Sequence, residues 1–102
     1  MSKSTPPIDP IHPGEILKEE FLEPYGLSAT AFAKRLGVPA NRITRIIAGK
    51  SAVTADTALL LSAAFDTSAE FWLNLQTHFD LETARGDAET MERARAVQKI
   101  AA

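Results

Sequence analysis

Cysteine is absent from these 102 residues, which excludes a disulfide framework, a thiol nucleophile and a thiolate metal site. Histidine occurs only at positions 12 and 78, without convergent acids at metal-ligand spacing, so no metal centre is expected. Long apolar runs are missing as well. The richest, residues 58–65, lies between Asp56 and Asp66 and falls far short of the ~20 residues that cross a bilayer. Residues 1–7 have neither the apolar core of a signal peptide nor the arginines of a transit peptide, so a cytoplasmic protein without membrane contact is expected. Nor is there a nucleophile with a base at recognisable spacing, a phosphate-cradling glycine loop or a carboxylate pair in an apolar setting. An enzyme is therefore not expected, and no cofactor is implied. What is present, 45% hydrophobic and 24% charged residues, suits one soluble domain with one core.

The net charge of −2 conceals an uneven distribution. Residues 1–50 carry seven Lys or Arg against five acids, whereas residues 51–102 carry four against eight. Between Glu23 and Asp56 no acid occurs, while Lys34, Arg35, Arg42, Arg45 and Lys50 all fall in that window. A basic window in an acidic chain points to an anionic partner at one face, although charge runs also serve simply to solvate a surface.

Periodicity predicts an all-α protein: a bundle of about five helices with a further helical segment after it. Residues 1–11, with Pro6, Pro7 and Pro10, read as a flexible arm. A first helix starts near His12-Pro13, buries Leu17 and Phe21, and stops at Pro24 and Gly26. Ser28 caps a second, which buries Phe32, Ala33 and Leu36 before Gly37 breaks it. A third runs from about Pro39 to Ala48 on an Ile43, Ile46, Ile47 stripe. Thr54 caps a fourth that is apolar nearly all round and is expected at the centre. Ser68 caps a fifth with Phe71, Leu75 and Phe79 at i, i+4 and i+8, and Trp72 beside them; this aromatic group reads as core rather than as a platform for bases. Residues 87–100 form a last helix with a thin Met91, Ala94, Val97 stripe. Residues 12–85 thus make the main domain and residues 86–102 an extension suited to dimerisation.

The segment 28–51 carries the functional signal. Two short helices joined by a tight turn containing Gly37, with small Ala33 at their approach, have the form of a helix-turn-helix whose second helix enters a DNA major groove. With the isoleucines inward, about 100° per residue turns Asn41 and Arg45 outward, flanked by Thr44 and Arg42. Asn41 suits adenine and Arg45 guanine, while Thr44 can meet a thymine methyl. At ~1.5 Å per residue Asn41 and Arg45 stand about 6 Å apart, close to two base steps of ~3.4 Å. Thr30, Lys34, Arg42, Lys50 and Ser51 are placed to contact phosphates.

Four stretches carry a family resemblance: HPGEILKEEFLEPYGLS at residues 12–28, LGVPANRITRIIAGK at 36–50, TADTALLLSAAF at 54–65 and SAEFWLNLQTHFDL at 68–81. Over residues 12–85 the chain resembles the HigA-type antitoxins, plasmid-maintenance antidote proteins within the Xre family of lambda-repressor-like helix-turn-helix regulators. HPGE and EFWLNLQ discriminate, because the central stretch fits many phage-type repressors. The resemblance implies an antitoxin that neutralises a HigB-like messenger-RNA-cleaving toxin and represses its own operon. After the Gly49-Lys50 pair, where members often carry a further base, this chain has Ser51-Ala52, one phosphate contact fewer.

A ten-residue recognition helix reads few base pairs, so a homodimer on a palindromic operator is expected, with half-sites about 34 Å apart. The acidic residues Glu15, Glu19 and Glu23 read as a solvated helix face and, given a basic toxin, as a surface for it. Two alternatives stay open on sequence grounds: a free-standing Xre-type repressor without a toxin, and a helical protein-interaction module that does not bind DNA.

Overall fold

The computed structural model describes residues 10–101, so most of the expected arm lies outside the described residues. Every described element is helical: α1 (Pro13–Ile16), α2 (Ala29–Leu36), α3 (Ala40–Ile47), α4 (Ala55–Phe65), α5 (Ala69–Arg85) and α6 (Ala88–Ala96). Between α1 and α2 the chain stays helical but changes pitch, first to a wide π-type stretch, Leu17–Leu22, then to a tight 3-10 turn, Glu23–Tyr25. The wide turn has a packing reason. It lets Leu17 and Leu22, five residues apart, both reach full burial, whereas Phe21, expected on the buried face, is only half-buried.

The helix starts follow local chemistry. His12 caps α1, its Nδ1 accepting the Gly14 N–H at 2.9 Å, with Pro13 in the first turn. Ser28 and Ser68 accept from the amides of Ala31 and Phe71. Thr54 occupies the cap position of α4, but its hydroxyl goes to the side chains of Asp56 and Thr57 instead of the helix backbone. At the other end of α2, Gly37 has φ 76°, a conformation open to glycine at little cost, and the Gly37 and Val38 amides return to the Lys34 and Ala33 carbonyls.

The core gathers Leu17, Leu22, Phe32, Ala33, Ile43, Ile46, Val53, Ala58, Leu61 and Trp72. Phe32, Ala33, Ile43 and Ile46 lie where the helical wheel put them. α4 corrects expectation: it is not central, because Leu59 is 61% exposed and Ala63 and Ala64 are also exposed, leaving Thr57, Ala58 and Leu61 as its buried face. In α5 the buried line is shifted from Phe71 to Trp72 and Gln76, and Phe71 is exposed. The indole is enclosed because its N–H has a partner, donating to the Thr67 hydroxyl at 2.8 Å. α6 stops at Ala96, four residues before its expected end; Met91 is half-buried, and Ala94 and Val97 are exposed.

Candidate nucleic-acid interface

α3 is held by its inner face and by its carboxyl-terminal end. Ile43 and Ile46 are buried, α2 packs alongside, and α1 closes over the carboxyl-terminal turn. That last contact depends on Gly14, where a Cβ would lie 1.8 Å from the Ile46 carbonyl oxygen. His12 lies over the loop after α3, its ring edge-on to Phe79 with centroids 4.8 Å apart. Burial lowers the His12 pKa, against the opposing pull of the Ser51 backbone and of Asp80. The HPGE stretch therefore clamps the recognition helix from behind. From the other side Gln76, buried on α5, accepts the Val53 N–H at 2.7 Å and donates to Asp80 at 3.0 Å, fixing the α3–α4 loop to α5.

The outer face of α3 presents Asn41, Arg42, Thr44 and Arg45, all exposed. Asn41, Arg42, Arg45 and Ser51 line one open recess of about 450 Å³ whose far wall is Thr54 and Asp56. Thr44 lies outside that recess on the exposed face of α3, and Thr30, Lys34 and Lys50, also outside it, are exposed.

Two residues assigned by spacing to phosphates have protein partners. Arg42 Nη1 donates to Asp56 at 3.0 Å. Ser51 Oγ accepts from Arg45 Nε at 3.0 Å. The Asp56 carboxyl is held below its ordinary pKa by the Thr54 hydroxyl first and then by Arg42, with burial opposing. Asp56 escaped the sequence reading as a site residue, although it is the acid that closes the acid-free window. Gln76 escaped because a lone Gln on an aromatic helix carries no signal of the backbone amide it serves. The acidic side chains Glu15, Glu19 and Glu23 are exposed on the first helical segment, Glu23 paired with Lys18 at 3.0 Å. Among the described residues no three His, Asp or Glu side chains converge to hold a metal, and no helix is long and apolar enough to cross a membrane.

Comparison with known proteins agrees with this geometry. A helix-turn-helix family model matches residues 18–72. Antitoxin HigA-1 of Vibrio cholerae is 43% identical over 76 residues, 74% of this chain and 71% of that protein. Antitoxin GraA, solved in complex with its operator, superposes with a TM-score of 0.83 at 46% identity, covering 98% of this chain and all of that one. Pseudomonas aeruginosa antitoxin HigA, solved with the higBA promoter, gives a TM-score of 0.82 at 39% identity over 90% of this chain and 99% of that one. With the Gly37 turn, the buried isoleucines and the exposed face of α3 already in place, these likenesses establish that the chain belongs to the HigA-type antitoxins of the Xre helix-turn-helix family.

Proposed function

We propose that the protein is a DNA-binding antitoxin that, as a homodimer on a palindromic operator, represses its own operon and neutralises a HigB-like messenger-RNA-cleaving toxin. The observation that carries the DNA half is the exposed face of α3, set in the acid-free window and rigidly backed by α1 and α2. GraA was solved in complex with its operator and P. aeruginosa HigA with the higBA promoter, which supports the same role here. Asn41, Thr44 and Arg45 read bases, and Thr30, Lys34 and Lys50 take phosphates. Arg42 gives one N–H to Asp56 and keeps its others for phosphate. The protein acts by binding and not by catalysis, in the cytoplasm where its operon is transcribed.

The test is binding to its own promoter across a salt series, wild type beside an Asn41→Ala, Arg45→Ala double mutant. Wild type should bind a palindrome tightly with a steep salt slope, and the double mutant should keep only weak non-specific binding. If both bind alike, or neither binds, α3 is not a reading helix and the protein-interaction reading takes its place.

Toxin neutralisation is supported by family membership, and the acidic row of Glu15, Glu19 and Glu23 is its proposed docking surface. Reversing Glu19 and Glu23 to Lys should weaken capture of the co-expressed toxin; unchanged affinity would remove that surface. Dimerisation is assigned to residues 86–102 together with the exposed end of α5, where Leu81 is 47% exposed. A deletion after Arg85 that remains dimeric in sedimentation would count against this assignment.

A further inference from the structure

The loop that follows α3 folds back onto a single residue. Gly49, with φ 76°, reverses the chain, and the amides of Lys50 and Ser51 both donate to the Arg45 carbonyl, at 2.8 and 3.2 Å. The side chain returns the contact. Arg45 Nε donates to Ser51 Oγ at 3.0 Å, and Nη2 makes a longer bond of 3.4 Å to the Lys50 carbonyl. Arg45 is thus joined to the same two residues through its backbone and through its guanidinium. The loop itself is backed by the partly buried His12 ring, whose Cγ lies 3.9 Å from where a Gly49 Cβ would stand.

A guanidinium has two edges that form a fork of parallel N–H groups: a side edge, Nε with Nη2, and an end edge, Nη1 with Nη2. The side edge is the one turned to Ser51 and Lys50. The end edge is left for a partner, and its spacing matches the O6 and N7 acceptors of guanine. An arginine held in this way loses little freedom on reaching a base, whereas an unheld exposed arginine must give up several rotatable bonds.

We infer that Ser51 is a positioning residue for base recognition, holding the side edge of Arg45 so that its end edge is presented to a guanine. This replaces the phosphate contact that spacing alone predicts for Ser51, and it rests on the reading of Arg45 as a base contact. A phosphate ligand and a positioning residue differ in what they change. Loss of a neutral phosphate contact weakens every sequence alike, while loss of the positioning hydroxyl narrows the preference for one guanine; the salt slope, set by charged contacts, is the same in both cases.

The experiment measures dissociation constants of the full chain on its own promoter duplex and on duplexes in which each guanine of a half-site is replaced in turn by 7-deazaguanine. Wild type, Arg45→Ala, Ser51→Ala and Ser51→Thr are compared. Wild type should lose on the order of tenfold at one guanine, where the N7 acceptor is removed and O6 kept, as expected for one lost hydrogen bond to a charged group. Arg45→Ala should be indifferent to that replacement. Ser51→Ala should narrow the ratio at that guanine by roughly three- to tenfold with an unchanged salt slope. Ser51→Thr, which keeps the hydroxyl, should restore the ratio. If Arg45→Ala keeps full discrimination, the base-reading role of Arg45 fails and takes the inference with it. If Arg45→Ala is indifferent but Ser51→Ala matches wild type, or weakens all duplexes equally, the reading of Arg45 stands and the positioning role of Ser51 is overturned.

Discussion

At the residue scale, one substitution made at two glycines separates two physical causes. Gly37 sits at φ 76° with open space where a Cβ would go, so Gly37→Ala carries only backbone strain, about 1–2 kcal/mol. Gly14 has no such φ, but a Cβ there would overlap the Ile46 carbonyl, and the relief would have to come from moving α1 off α3. Gly14→Ala should therefore cost more, on the order of 3 kcal/mol, and should also weaken operator binding because the recognition helix loses its backing. Thermal unfolding of the two variants side by side checks the order. His12 supplies a pH dependence. Its folded pKa lies below the ordinary value of about 6.5, so it is neutral in both states at higher pH and contributes no slope there. As pH falls below about 6.5 the unfolded chain takes the proton first, and stability drops until the folded pKa is passed. Protonation also removes the Nδ1 acceptor that caps α1. The melting temperature should thus decline as pH falls below about 6.5, and His12→Asn, which keeps a cap acceptor without titrating there, should flatten the decline.

At the element scale, α4 shows where a composition-based reading fails. A helix with so many apolar residues looks central, yet it is packed on one side only, and Leu59 stands in solvent. Leu59→Glu should change stability by no more than about 0.5 kcal/mol, while Leu61→Ala, two positions on and fully buried, should cost about 2–5 kcal/mol. Equal losses in urea melts would restore the central placement. The first helical segment carries the same lesson in another form. Its i, i+4 pattern favours Phe21, but the widened turn rewards Leu22, because burying Leu17 and Leu22 together outweighs regular helical pitch. By contrast α2, the Gly37 turn and α3 were legible almost residue by residue. Their capping serine, positive-φ glycine and buried isoleucines act within one or two helical turns, the range over which sequence spacing is also spatial proximity.

At the scale of the whole molecule, the charge division decides how the protein meets DNA. An overall acidic chain exposes Lys34 on α2 and Lys50 after α3, while all of its acids lie outside the 24–55 window. Lys34→Ala and Lys50→Ala should each lower the salt slope of operator binding by about two in a dimer, one unit per lost contact, and leave the preferred sequence unchanged. A change in sequence preference would mean that these lysines touch bases. The candidate site was readable as a set of residue types on one helical face. The connections inside it were not: Arg42 to Asp56 spans fourteen positions and Val53 to Gln76 twenty-three, separations at which no periodicity operates.

Interactions between residues a few positions apart make the Ser28 and Ser68 caps, the Gly37 turn, the apolar stripe of α3 and the outward placement of Asn41, Thr44 and Arg45 readable from the chain alone. Packing of the helices is what makes HPGE clamp α3 through Gly14 and His12, gives Gln76 the Val53 amide, leaves one face of α4 open and brings Ser51 to Arg45. The physical reason is that burial and hydrogen-bond partnership depend on which surfaces meet when the helices pack, and residues far apart in the chain acquire partners only then.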